Sequence, residues 1–164
     1  MKPRQLTTEY QEFASAAELE KADRELLQQA HEATADSYAP YSHFHVAAAA
    51  KLNNGKILTG TNQENASFPA GICAERVLLS AISSMHPDAT IESMAITYDN
   101  EQGSSDHPIS PCGVCRQSLA EYELRSGKPI RLILGGKTGS VIVLSSAMEL
   151  LPMAFTGQEI KKKK

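Results

Sequence analysis

The sequence has no tryptophan, only three cysteines, and a formal net charge of just −3 over 164 residues. Each scarcity excludes something. Aromatic residues make up 5% of the chain and are not interleaved with basic stripes, so the footprint of a nucleic-acid-binding surface is missing. No apolar run approaches the ~20 residues that a membrane-spanning helix needs, so no membrane partner is expected. The opening residues, Met1-Lys2-Pro3-Arg4-Gln5, lead into polar sequence, which does not read as a secretory signal. An odd number of cysteines argues against a closed set of disulfides. Free thiols suit a reducing compartment, so the cytoplasm is the expected location. The length is that of one domain, and it can bury a core without disulfide staples.

Apolar periodicity predicts alternating helices and strands. Leu19, Ala22, Leu26, Ala30 and Ala33 recur at helical spacing within residues 18–37. Pro40 then disfavours helical geometry in the residue before it. Residues 44–52 and 56–60 read as strands joined by Asn53-Asn54-Gly55, a hairpin turn in which Asn-Gly tolerates positive φ at both central positions. A polar loop over 61–71 precedes a helix over 72–85, a strand over 91–98, a helix over 112–125, and strands over 130–134 and 141–144. Ser145 is placed to cap a short helix reaching Leu151. The order predicts an α/β fold: a three-layer α/β/α sandwich with a mixed sheet of about five strands. Residues 1–17 read as a loose N-terminal arm, 18–155 as the domain, and 156–164 as a basic tail. The closing lysines read as a solvated terminus, not as a contact for nucleic acid.

The chemistry is concentrated in two short stretches, Cys73-Ala74-Glu75-Arg76 and Pro111-Cys112-Gly113-Val114-Cys115, which hold every cysteine of the chain. Each opens a predicted helix, and Cys112 and Cys115 stand three apart, so both sulfurs turn toward one point. Helix N-termini favour anions, which suits thiolates. Zinc takes four ligands in a tetrahedron, and a structural site fills all four with side chains. Here the cysteines leave the fourth position for water, and Glu75 reads as its proton carrier. Three thiolates leave the centre with a formal charge of about −1, which weakens its hold on water's proton. Arg76, on the same helix face as Cys73, reads as the group that hydrogen-bonds the sulfurs and draws that charge off. The competing reading is a structural clip closed by His107 or His86, and for a Cys-x-x-Cys pair alone the two readings stand about even. Adding Cys-Ala-Glu favours catalysis, because this signature is the one described for zinc nucleobase deaminases, the three-cysteine form included.

Five motifs in order carry a family resemblance: Tyr41-Ser42-His43-Phe44-His45-Val46, Gly60-Thr61-Asn62-Gln63-Glu64-Asn65-Ala66-Ser67, Gly71-Ile72-Cys73-Ala74-Glu75-Arg76, Ser110-Pro111-Cys112-Gly113-Val114-Cys115-Arg116-Gln117, and Leu150-Leu151-Pro152-Met153-Ala154-Phe155. Over residues 19–155 the chain resembles the small homotetrameric, zinc-dependent cytidine deaminases. The resemblance implies hydrolysis of cytidine and deoxycytidine to uridine and deoxyuridine plus ammonia, a step of pyrimidine salvage. It implies one Zn2+ per subunit on Cys73, Cys112 and Cys115, attack of zinc-bound hydroxide on C4 of the base, and Glu75 as proton shuttle. Asn62 and Glu64 match the family's ribose-holding pair, Phe44 the aromatic packed against the base, and Ala74 a further substrate contact. Phe155 matches an aromatic that reaches a neighbouring subunit's site, so a homo-oligomer, a tetramer, is expected.

Without the resemblance, Phe44 and Phe155 read as packing aromatics and Asn62 as turn chemistry. Two positions depart from the family. Ala47 stands where glycine is usual, and Phe68 where tyrosine is common, which removes a hydroxyl. His43 and His45 read as strand residues near the pocket mouth. Two alternatives remain open: a deaminase of another aminopyrimidine nucleoside, of the blasticidin type, and a non-catalytic structural zinc domain.

Overall fold

A computed structural model describes residues 2–157 and residue 160. Along the chain run β1 (Gln11–Phe13), α1 (Lys21–Ala33), β2 (Phe44–Leu52), β3 (Ile57–Thr61), α2 (Ala74–Met85), β4 (Ile91–Asn100), α3 (Gly113–Ser126), β5 (Arg131–Gly135) and β6 (Val141–Leu144). Short 3-10 turns lie at Ala16–Glu18, Thr34–Asp36, Phe68–Ala70 and Ala147–Leu150. The strands form one sheet in the order β1-β6-β5-β4-β2-β3. Only β4 and β5 are parallel neighbours; the other pairs are antiparallel. Because β2 opposes both β3 and β4, those two strands run the same way.

Helices cover both faces, as a three-layer sandwich requires. Leu78 and Ile82 of α2 and Leu119 and Tyr122 of α3 pack on Ala48, Ala50, Met94 and Ile96. Leu26, Leu27 and Ala30 of α1 pack on Ala49, Ala95 and Ile133 from the other side. Strand side chains alternate between faces, so a central strand covered on both sides must be apolar throughout. The buried run Ala47-Ala48-Ala49-Ala50 meets that demand. The same alternation turns Ala47, the departure from family pattern, toward the α1 layer.

The layered α/β fold with a mixed sheet is as expected, and among the described residues the sheet has six strands, one more than the about five expected. The additional one, β1, falls inside the expected loose arm and pairs with β6, Gln11 opposite Val143 and Phe13 opposite Val141. Three residues carry no readable period; the exposed edge of β6 recruits them. The hairpin after β2 forms as expected, but Asn54 is not among the residues with positive φ, while Gly55 has φ 80°. Leu52 N–H donates to the Lys56 carbonyl at 2.8 Å, which closes a three-residue loop with glycine in the left-handed position. The cap of the last turn is Ser146, not Ser145: its Oγ accepts from Met148 N–H at 3.1 Å. Helix α1 stops at Ala33, where a 3-10 turn takes over.

Two buried carboxylates tie the layers. Glu123 accepts from the N–H groups of Ile130 and Ala147, each at 2.7 Å, and from Ser146 Oγ at 2.7 Å. Asp23 at the start of α1 takes both Nε and Nη2 of Arg131 on one oxygen, at 3.0 and 2.9 Å. Among the described residues no helix is long and apolar enough to cross a membrane. Most of the basic tail, residues 158, 159 and 161–164, lies outside the described residues.

Helix α2 presses on β3 at Gly60, where an added Cβ would sit 2.7 Å from Leu78 N and 2.9 Å from the Ala74 carbonyl. Gly60→Ala is expected to cost about 1–3 kcal/mol and to lower Tm by several degrees. An unchanged thermal melt would show that α2 can move off the sheet at no cost.

Candidate metal centre and active site

Helix α2 follows β3 and α3 follows β4, and these strands point the same way, so both helices begin at one end of the sheet. That end, beyond the carboxyl termini of parallel strands, is where ligands collect in open α/β sheets. Strand β2 runs the other way, which brings its first residue, Phe44, to the same end. Cys73 is the N-cap of α2 and Cys112 the N-cap of α3; neither side chain caps its helix. Cys115 lies buried in the first turn of α3.

The three Sγ atoms lie within 4.8 Å of one another, and those of Cys73 and Cys112 are 3.8 Å apart. Zinc–sulfur bonds of about 2.3 Å in a tetrahedron set neighbouring sulfurs about 3.8 Å apart. The cluster therefore has the dimensions of a zinc–thiolate centre. Its electrostatics disfavour three bare thiolates side by side. Burial pushes the Cys115 thiol far above its ordinary range, and the nearby charges of Glu75 and Cys73 push the same way. Cys73 is also raised, first by burial, then by repulsion from Cys112 and Glu75. Burial works against ionisation of Cys112 too, but hydrogen bonds from Cys115, Cys73 and the Val114 amide outweigh it, and its thiol falls below the usual range. Groups that oppose one another's ionisation at two helix N-termini make a donor set for a divalent metal.

Glu75 sits in the first turn of α2 and is 4% exposed. Burial lifts its carboxyl above the usual range, opposed by its own amide and by Cys115. Among the described residues no further histidine, aspartate or glutamate joins the three sulfurs. His107 instead contacts the Tyr98 hydroxyl and the Asp106 carboxylate, and His86 ends α2 at its far terminus. The closed four-side-chain clip is therefore not formed by either histidine. Arg76 is half-buried on α2, and among the described residues its guanidinium makes no hydrogen bond to a sulfur.

A cleft of about 240 Å³ opens beside Cys73, lined by Asn62, Glu64, Phe68 and Ile72 among others. The Glu64 carboxylate accepts from the amides of Tyr41 and Ser42 at 2.9 and 3.3 Å. The Ser42 hydroxyl holds that carboxyl below the usual range. The Asn62 carboxamide serves β2: Oδ1 accepts from Val46 N–H at 2.8 Å, and Nδ2 donates to the Phe44 carbonyl at 2.9 Å. Ala74 is fully buried at the start of α2. Phe44 is not among the residues lining the cleft; its ring stacks on Tyr98, centroids 4.9 Å apart and planes 21° apart. Phe155 lies elsewhere, 62% exposed, its carbonyl accepting from Gln117 Nε2 at 2.8 Å. It borders a separate cleft of about 740 Å³ lined by residues of α2 and α3.

The sequence reading missed Tyr98 as the partner of Phe44 and the backbone role of Asn62. Both depend on strand register, Val46 opposite Tyr98 and Phe44 opposite Asn100, which no local pattern displays.

Fold and site together define a class: a layered α/β domain with a three-cysteine metal cluster and a buried carboxylate at the ends of its parallel strands. Comparison with known proteins agrees. Residues 20–127 match the family described as the cytidine and deoxycytidylate deaminase zinc-binding region. The chain is 35% identical over 140 residues to the cytidine deaminase of Halalkalibacterium halodurans, covering 84% of this chain and 98% of that one. The crystal structure of cytidine deaminase from Burkholderia pseudomallei matches with a TM-score of 0.69 at 35% identity, over 80% of this chain and 97% of that one. The blasticidin-S deaminase of Bacillus cereus is 29% identical over 140 residues, 84% of this chain and 95% of its own. The chain belongs to the cytidine and deoxycytidylate deaminase family.

Replacing one of the three cysteines tests the centre directly. Cys115→Ser is expected to weaken zinc retention by more than the roughly 10–100-fold that loss of an outer partner costs. Metal analysis after challenge with a chelator reads the change, and wild-type retention would remove Cys115 from the ligand set.

Proposed function

We propose that the protein is a zinc-dependent hydrolase that deaminates cytidine and deoxycytidine to uridine and deoxyuridine, releasing ammonia. The observation that carries this reading is the three-sulfur cluster with Glu75 buried beside it, in a chain that matches cytidine deaminases over most of its length. Cys73, Cys112 and Cys115 would hold one zinc per subunit. Bound there, zinc supplies the Lewis acidity that makes water a nucleophile near neutral pH. Glu75 takes a proton from the water that attacks C4, passes it to N3, and later delivers a proton to the departing amino group. Water enters and ammonia leaves, so the exchange balances. A carboxyl raised by burial suits a group that must both accept and donate.

The remaining residues bind and orient. Glu64, held ionised at the cleft, is an acceptor for a ribose hydroxyl. Asn62 keeps one N–H and one lone pair beyond its two bonds to β2. Phe44 packs against the base, Ala74 lines the site, and Arg76 is the cation that offsets thiolate charge once metal is bound. The homo-oligomer, a tetramer in this reading, completes the pocket. The cleft beside Cys73, about 240 Å³, is small for a nucleoside against the roughly 300–1,000 Å³ of ordinary ligand sites. Phe68 (76% exposed), Met153 (90%) and Phe155 (62%) offer apolar surface for a neighbouring copy to cover. With a free-thiol centre, the protein works in the reducing cytoplasm, in pyrimidine salvage.

A second reading, deamination of a blasticidin-type nucleoside, is favoured by one observation, the near full-length match to blasticidin-S deaminase. Turnover of cytidine against that nucleoside separates the two.

Zinc-loaded protein mixed with cytidine is expected to shift the ultraviolet spectrum to that of uridine with one ammonia per turnover. Cytidine left untouched would sink the proposal. Glu75→Ala is expected to keep zinc and fold while kcat falls by about 10²–10⁴-fold or more; activity within a few-fold of wild type would remove the proton-shuttle role. Sedimentation is expected to show an oligomer, and a fully active monomer would contradict the shared pocket.

A further inference from the structure

We infer that Glu101 is a positioning residue for Phe44: its carboxylate grips the imidazoles of His43 and His45 and so fixes the start of β2. This rests on the reading of Phe44 as the aromatic that meets the base. The chain enters β2 under constraint. His43 has φ 53°, a left-handed conformation that residues with a side chain rarely adopt. Such backbone persists only where the surroundings over-determine it. Here they do. The His43 amide donates to the Ala39 carbonyl at 3.0 Å, and its own carbonyl accepts from Glu101 N–H at 3.1 Å. The Glu101 side chain then closes the clamp. Its Oε2 takes His43 Nδ1–H at 3.0 Å and its Oε1 takes His45 Nε2–H at 3.1 Å. A carboxylate only accepts, so both rings must turn a proton-bearing nitrogen toward it. The Ser37 hydroxyl donates to the remaining nitrogen of His45, which sets that tautomer.

Phe44 lies between the two gripped residues. Alternation along β2 sends Phe44 to one face and His45 to the other, and Glu101, which takes His45, also takes His43. There the ring rests on Tyr98, which is 1% exposed and meets His107 Nδ1 through its hydroxyl at 3.3 Å. The Phe44 carbonyl is held by Asn62. The ring is thus backed by Tyr98, and its backbone is pinned from the opposite face through Glu101. Glu101 can do this because it directly follows Asn100, the residue opposite Phe44 in register. The clamp does little for global stability: the side chains of Glu101, His43 and His45 are 57%, 43% and 21% exposed, and exposed pairs of this kind stabilise weakly. Its effect is local, on where the Phe44 ring stands when substrate arrives.

Steady-state kinetics on the full-length, zinc-loaded protein test this. Glu101→Ala is expected to raise KM for cytidine about tenfold while kcat stays within about twofold, the pattern of lost uniform binding. Zinc content and Tm are expected to match wild type. In a Phe44→Ala background, adding Glu101→Ala is expected to change KM by less than about twofold, because no ring remains to be positioned. Glu101→Gln, which keeps one acceptor oxygen, is expected to fall between wild type and Glu101→Ala. An unmoved KM in an active Glu101→Ala enzyme overturns the inference alone. So do equal fold-changes in both backgrounds, or a loss confined to Tm or zinc content. A wild-type protein inert toward cytidine overturns the functional reading first, and the inference with it.

Discussion

Two helices that begin at the same end of one sheet make this site possible. Strand β2 lies between β3 and β4 and opposes both, so β3 and β4 must be parallel. The helices that follow them therefore start side by side, on the same face. Each carries a cysteine at its N-cap, and α3 carries another one turn in. Partial positive charge at the two N-termini meets three sulfurs, from buried Cys115 to exposed Cys112, that resist joint ionisation. The arrangement holds only if α2 lies tight on β3. Gly60 permits that approach, since any side chain there would collide with the Leu78 backbone.

The polar groups around the cysteines are arranged by the same geometry. Glu75 is buried because the first turn of α2 faces inward against α3, and burial is what lifts its carboxyl. Glu64, just past β3, has the opposite environment: hydroxyl and amide donors from the segment before β2 keep it ionised. Two carboxyls close in sequence are thus driven apart in proton affinity. Between them, Asn62 extends the ladder beyond the end of β3 and joins it to the first residues of β2.

The approach to β2 shows how an aromatic ring is placed by its backbone. Phe44 is the first residue of its strand, where fraying is easiest. It is held by a ring behind it, a carboxamide on its carbonyl, and a carboxylate across its two neighbours. None of these partners is adjacent in sequence. They meet because Phe44 and Asn100 are opposite in the sheet.

Sequence by itself determined what local physics writes along the chain. The bounds of β2 and β6 were legible because apolar runs end at clear turn residues. The helix starts at Cys73 and Cys112 were legible because cysteine count and spacing mark them. Glu75 stood out because it lies two residues from Cys73, one of the three clustered cysteines. Tertiary structure alone decided the rest. Residues 11–13 become a strand only because the β6 edge is open to them. Ser146 and not Ser145 caps the last turn, a matter of one residue's backbone direction. Asn62, which the family resemblance marked as a sugar contact, is drawn into the β2 ladder, and Glu101 finds its histidines across the sheet. Periodicity, capping and ligand count are short-range and leave a mark in neighbouring residues. Strand register joins residues tens of positions apart, and no local pattern records it.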